Sequence, residues 1–307
     1  MNKEQTMDYH VNAIKDLART QPRSLGAEIE KLARDKPLHT AIYYEERKIN
    51  YQEFNKLANR YANYFFNQGF KKGDVVALLM PNRPEYLTAV VGLSKLGVIV
   101  ALINSEVRGE VLAAGINMVE AKAVIMGHEF VELYQTIAER IRLHFPARLM
   151  VETEDQAVLL PEHYEDLNKL LKSAAEDNPP VTADINSDDI LAIIFAAGTF
   201  GDRKAVPVLQ KRFLSVGHKA GAFCHMNGDR VLYMSLPLHL NSGFNVCFGS
   251  MAVNGCSMVI KKRFSVHQFW DDIRKYQADY FVGVGEMCRY IYSLPELPGM
   301  QIIRWIL

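Results

Sequence analysis

The residues best suited to chemistry fall in one stretch, Leu191-Ala-Ile-Ile-Phe-Ala-Ala-Gly-Thr-Phe-Gly-Asp-Arg-Lys-Ala-Val206. Leu191 to Ala197 is an apolar run with the length and composition of a buried strand. Gly198 and Gly201 break it, and Asp202, Arg203 and Lys204 follow. Glycines let backbone N–H groups close on phosphate oxygens, and a lysine neutralises their charge. An ordinary loop with two glycines is the plain alternative. Two standard nucleotide motifs fail. A phosphate-binding G-x-x-x-x-G-K-[ST] loop finds Gly198 and Lys204 at its spacing, but Arg203 and Ala205 hold the other two places. A G-x-G-x-x-G fingerprint finds Gly283 and Gly285, but Cys288 stands where the third glycine belongs. Further along, His239 lies in Ser235-Leu-Pro-Leu-His-Leu-Asn-Ser-Gly-Phe244. There it could line a substrate pocket, hold structure or face solvent.

These residues need a scaffold, and the rest of the chain describes one. Its 307 residues are 49% hydrophobic and 23% charged, enough for a large core or two subdomains. The net charge is zero, which removes a general basic surface for nucleic acid. Cys224, Cys247, Cys256 and Cys288 show no paired spacing, which points to reduced thiols in a cytoplasmic protein without a metal framework. The polar start lacks the apolar centre of a signal peptide.

The spacing predicts helices over 9–35, Tyr51 to Gln68, Pro84 to Leu96, Arg108 to Met118, Glu129 to Phe145 and Lys211 to Cys224. Apolar runs predict buried strands at Val75 to Met80, Val98 to Ile103, Ala123 to Met126 and Leu191 to Phe195. Strands alternating with helices mean an α/β fold with mainly parallel sheets flanked by helices. Lys95 and Gly97 interrupt the long apolar run from Leu87 to Ile103, so it reads as helix, glycine and strand rather than a membrane span. The amphipathic segment 11–35 admits peripheral contact with a membrane, on the inner face for a cytoplasmic protein. Packing on its own domain is the alternative. The expected organisation is a first α/β portion, 1–151, an acidic proline-containing linker, 152–189, and a second α/β portion, 190–307, with the glycine loop.

The glycine stretch resembles the phosphate loop of AMP-forming adenylating enzymes, [ST]-[ST]-G-T-[ST]-G-x-P-K. Gly198, Thr199, Gly201 and Lys204 match. Lys48-Ile-Asn-Tyr-Gln-Glu-Phe54, Lys72-Gly-Asp-Val-Val-Ala-Leu-Leu-Met-Pro-Asn82 and Leu93-Ser-Lys-Leu-Gly-Val98 resemble the opening of acyl-CoA synthetases. The segments Val253 to Phe264, Phe269-Trp-Asp-Asp272 and Gly285-Glu-Met-Cys-Arg-Tyr290 are similar to fatty acid transport proteins and very-long-chain acyl-CoA synthetases. The resemblance covers nearly the whole chain. It implies the N-terminal part of an adenylate-forming (AMP-binding) domain, spanning 1–307. It also implies ATP, magnesium and coenzyme A, and a fatty acid or other small carboxylic acid as substrate. By the same resemblance, Gly198, Thr199, Gly201 and Lys204 would cradle phosphate, and Gly285 and Glu286 would lie near the acyl channel. Glu286 also suits a helix start.

Departures set a second expectation. Ala196, Ala197 and Phe200 stand where the family has hydroxyls, and Leu240 stands where it has a histidine, with His239 one place earlier. Each hydrogen bond lost to a charged group costs about 1.5–3 kcal/mol, so phosphate binding should weaken. The sequence ends at Leu307, before the family's adenine-binding, magnesium-associated and C-terminal catalytic-lysine segments. The expectation is that the 307 residues alone do not complete acyl-CoA synthesis. A non-catalytic relative that binds acyl chains or a protein partner is the alternative.

Overall fold

Apolar runs and amphipathic helices alternate along the chain and sort into two sheets. The computed structural model describes residues 24–142, 148–153, 158–196, 204–293 and 304–306. Among these, the larger sheet has the order β7 (Tyr164–Asp166), β6 (Arg148–Glu152), β5 (Ala123–Gly127), β3 (Val75–Leu79), β4 (Ile99–Leu102), β8 (Ile190–Ala196) and β9 (Lys204–Leu209). The smaller has β13 (Arg304–Ile306), β12 (Tyr280–Val282), β10 (Val231–Met234), β11 (Ser257–Ile260), β1 (Thr40–Tyr44) and β2 (Arg47–Asn50). Neighbours run parallel except in the hairpins β8–β9 and β1–β2. Strands lie at all four apolar runs; in β8 Leu191 and Ala192 are buried and Ile193 to Phe195 half-buried.

Side-chain alternation builds the layers. Val76 and Leu78 point into a core between the sheets, which also takes Leu232 and Met234 from the smaller sheet. Helices Tyr51–Asn67, Pro84–Lys95 and Gln210–Cys224 fill that space with Phe54, Leu87 and Phe213 among others. Ala77 and Leu79 face the other way, onto Leu112 and Ile116 of helix Gly109–Asn117. On the smaller sheet, Tyr233, Val259 and Phe281 face outward onto Phe269 and Ile273 of helix Val266–Tyr276. The result is helix, sheet, helices, sheet, helix.

Two segments differ from the sequence reading. The helix expected over Glu129 to Phe145 is broken among its described residues into His128–Phe130, Val131–Gln135 and Ala138–Arg140. Thr136 Oγ1 donates to the Leu133 carbonyl at 2.7 Å, the acceptor an α-helix would offer to Ile137 N–H. Ile137 N–H donates to Tyr134 O instead, at 3.0 Å, which tightens the turn. In the stretch joining the two portions, β7 pairs with β6, and Leu167 and Leu171 are buried. Asn59 and Asn63 then donate to the carbonyls of Ala175, Glu176 and Asp177 at 2.7–2.9 Å. Glu152, read as part of a solvated acidic stretch, is buried instead, with Arg83 at 2.6 Å as its counter-charge. Each sheet draws strands from both portions: β1 and β2 join the second, β8 and β9 the first.

Lys95, which breaks the long apolar run, is fully buried at the end of its helix. No helix among the described residues is long and apolar enough to cross a membrane.

Candidate functional site

In parallel sheets, ligands bind where the strands end at their carboxyl side, because loops and free backbone groups gather there. The glycine stretch lies at such an edge. Gly198, Thr199 and Gly201 fall outside the described residues, but both ends of their loop are described. β8 runs parallel to β4, with Val100 opposite Ala192 and Ala101 opposite Ile193. Its last residue, Ala196, pairs with Lys204 at the start of β9. The hairpin β8–β9 thus presents Ala196 and Lys204 at the carboxyl edge of the larger sheet. Lys204 is exposed at its foot.

The smaller sheet contributes a second loop. β10 ends at Met234, and Ser235 to Leu240 follows. Asn82, just beyond the carboxyl end of β3, grips this loop. Its Nδ2 donates to Leu236 O at 2.8 Å and to Lys261 O, beyond β11, at 3.1 Å. Its Oδ1 accepts from Leu238 N at 2.9 Å. The carboxyl edges of β3, β10 and β11 thus meet at one side chain. From the other side, Gly243 seats on the loop: a Cβ there would lie 2.3 Å from Pro237 O, so only glycine allows this approach. Gly243 belongs to a π-helical segment, Ser242–Phe248, whose Phe244 and Phe248 pack on Phe213. Such wide turns recur at functional sites.

His239 is 6% exposed in this loop, so it does not face solvent. Burial holds its imidazole below the ordinary value, against the opposing pull of Glu106. It is therefore mainly neutral at pH 7 and can donate at one nitrogen and accept at the other. Glu106 follows β4, at the carboxyl edge of the larger sheet. Leu240, in the place of the family's histidine, is 40% exposed.

Gly285 and Glu286 open helix Gly285–Tyr292 just after β12, the neighbour of β10. A Cβ on Gly285 would meet nothing within 4 Å, so its backbone faces open space. Glu286 sits in the first turn, where the helix dipole favours an acid, and accepts from Arg289 at 2.7 Å. Topology thus brings the ends of the glycine loop, His239 and Gly285–Glu286 to carboxyl edges of the two sheets.

Asn82 and Glu106 escaped the sequence reading. Asn82 stands between Pro81 and Arg83-Pro84 and reads as a helix entry. Its one signal is its place directly after a buried parallel strand, and its partners lie 154 to 179 positions away. Among the described residues no group of three or more His, Cys, Asp or Glu could hold a metal ion.

Comparison with known proteins agrees with this frame. The family described as AMP-binding enzyme matches residues 29–305. The chain is 33% identical over 269 residues to mouse long-chain fatty acid transport protein 6, covering 87% of this chain and 42% of that protein. It is 29% identical over 258 residues to a medium/long-chain fatty acid–CoA ligase of Mycobacterium tuberculosis, covering 84% and 41%. Among solved structures, the N-terminal domain of FACL13 from Mycobacterium tuberculosis superposes with a TM-score of 0.76 at 22% identity, over 91% of this chain and 67% of that one. The chain spans about two fifths of the length of the curated relatives it matches.

Proposed function

Because this chain belongs to the AMP-binding enzyme family, we propose that it takes part in ATP-dependent activation of a long-chain fatty acid. In that reaction a carboxylate oxygen bonds to the α-phosphorus of ATP, and the bond to the bridging oxygen breaks. Acyl-adenylate and pyrophosphate result. The sulfur of coenzyme A then bonds to the acyl carbon, AMP leaves with the bonding pair, and the thiol proton passes to solvent or AMP. The fatty-acid class comes from the names of the relatives, and the reaction from the family.

What supports the reading is that Ala196 and Lys204, which flank the glycine stretch, and the Ser235–Leu240 loop each lie at the carboxyl edge of a mainly parallel sheet. Gly198, Thr199 and Gly201 would offer backbone donors to phosphate oxygens, and Lys204 a positive charge. His239, Gly285 and Glu286 would border the carboxylate substrate. The described residues supply no acidic cluster for the magnesium that accompanies ATP in this family.

Ala197 and Phe200 favour a second reading, an acyl-binding relative that has lost catalysis. Without the family's hydroxyls the cradle holds polyphosphate less tightly. The test is purified protein with ATP, magnesium, palmitate and hydroxylamine. Palmitoyl hydroxamate, abolished by Lys204→Ala, supports the ligase. Palmitate binding without hydroxamate supports the second reading. Neither binding nor hydroxamate would refute both.

A further inference from the structure

We propose that Asn82 is a positioning residue of the candidate site: it locks the Ser235–Leu240 loop of the smaller sheet to the carboxyl edge of the larger one and so sets the place of His239. The proposal rests on the functional reading above for its substrate, though not for its geometry.

Asn82 is 6% exposed. Its amide uses both faces on one task. Nδ2 donates to Leu236 O and Lys261 O, and Oδ1 accepts from Leu238 N. These three partners are backbone groups, and Nδ2 also lies 3.8 Å from Met234 Sδ, so the bonds that fix the path of the loop do not depend on the side chains the loop carries. Leu236 and Leu238 bracket Pro237, and His239 comes next. Only a side chain with donors and an acceptor on one rigid plane can serve Leu236 O and Leu238 N together. A carboxylate would face two carbonyl oxygens with no proton, and an aliphatic group would strand all three backbone atoms.

The loop is held from its far side as well. Gly243 abuts Pro237 O, Leu240 N–H donates to Pro237 O at 3.1 Å, and Phe244 N–H donates to Leu240 O at 2.9 Å. With these contacts on one flank, the Asn82 bonds decide how the loop sits on the larger sheet. Glu106, the charged group that faces His239 electrostatically, comes from that sheet. Releasing Asn82 would therefore admit water to His239, and relief of desolvation, the larger influence, outweighs any loss of the Glu106 field.

The experiment follows His239 by NMR in Asn82→Leu, which keeps the number of side-chain heavy atoms, carries no charge and removes all three hydrogen bonds. Asn82→Ala, which also removes all three bonds and adds no bulk, serves if the leucine variant does not fold. The control is Asn59→Ala, which removes buried bonds to Glu176 O and Asn178 Oδ1 elsewhere in the core. With desolvation relieved, the His239 titration midpoint should rise by about half a pH unit in the Asn82 variant and stay unchanged in the control. Palmitate should bind about tenfold more weakly to the Asn82 variant alone, as expected for a misplaced binding loop. A folded Asn82 variant with the parent's His239 titration would overturn the proposal, as would an equal shift in the control. If the parent protein binds no palmitate, the functional reading fails, and the His239 titration still decides the role of Asn82.

Discussion

Arg83 and Glu152 form an ion pair of 2.6 Å with side-chain exposures of 0% and 1%. Glu129, 28% exposed, shares the same guanidinium at 3.2 Å. Arg83 comes from the loop after β3, Glu152 from the end of β6 and Glu129 from the stretch after β5, so one cation ties three strand ends. Gly127 makes room for it, since a Cβ there would lie 2.8 Å from the guanidinium. Removing one partner of a buried pair leaves a charge without solvent or counter-ion. Arg83→Met should therefore cost about 3–5 kcal/mol in urea unfolding, and adding Glu152→Met should restore most of it. Equal stability of the single and double variants would show that the pair is not coupled.

Lys95 makes a pH-dependent contribution. Its Nζ donates to Glu30, Asn55 and Asn59 at 2.6–2.9 Å within the helical layer. Desolvation lowers its pKa to about 8, with Glu30 opposing. Above that value the folded protein releases the Lys95 proton while the unfolded chain still holds it. The unfolded state then binds more protons, so stability rises with pH until the unfolded lysine titrates. Against Lys95→Met, the wild-type protein should gain on the order of 3 kcal/mol between about pH 8 and pH 10.4. Subtracting the variant's curve removes the other titrating groups. A constant difference across that window would mean that Lys95 stays charged in the fold.

The glycine loop can be tested by restoring what it lacks. In Ala196→Ser/Ala197→Thr/Phe200→Ser the family's hydroxyls return beside Thr199. ATP should then bind about tenfold more tightly or better, since each bond to a charged group contributes about 1.5–3 kcal/mol. Calorimetric titration in the presence of magnesium reads this directly. Unchanged or weaker binding would argue that the loop meets no phosphate.

Phe269 anchors the outer core of the smaller sheet. It is fully buried and makes edge contacts with Tyr233, Phe281 and Trp270 at centroid distances of 5.0–5.6 Å. Phe269→Ala should destabilise the protein by about 3–5 kcal/mol through lost contacts and a cavity. The measurement is denaturant unfolding followed by circular dichroism. A cost below about 1 kcal/mol would show that helix Val266–Tyr276 is not held by this cluster.

The sequence by itself determined the elements and the class of fold. Val75 to Leu79 and Ile99 to Leu102 are apolar throughout because both faces of those strands are covered, a requirement written in consecutive residues. Helix Tyr51–Asn67 shows its buried face in the spacing of Phe54, Ala58, Tyr61 and Phe65. The glycine–threonine–lysine stretch stands out in the sequence because its spacing is local, but Gly198, Thr199 and Gly201 lie outside the described residues. Tertiary structure alone decided how these pieces meet. Strand order is a matter of long-range pairing, and nothing near β8 in sequence announces β4 as its neighbour. Thr136 ended a helix that periodicity would continue, through a hydroxyl that took a backbone acceptor. Glu152 read as part of an acidic connection and Lys95 as a break in an apolar run, and only the fold, by packing distant partners around them, shows both as buried charges. Asn82 is the clearest case. An asparagine between prolines carries no chemistry on its own, and it acquires a role only because two sheets bring Leu236, Leu238 and Lys261 within reach of one amide.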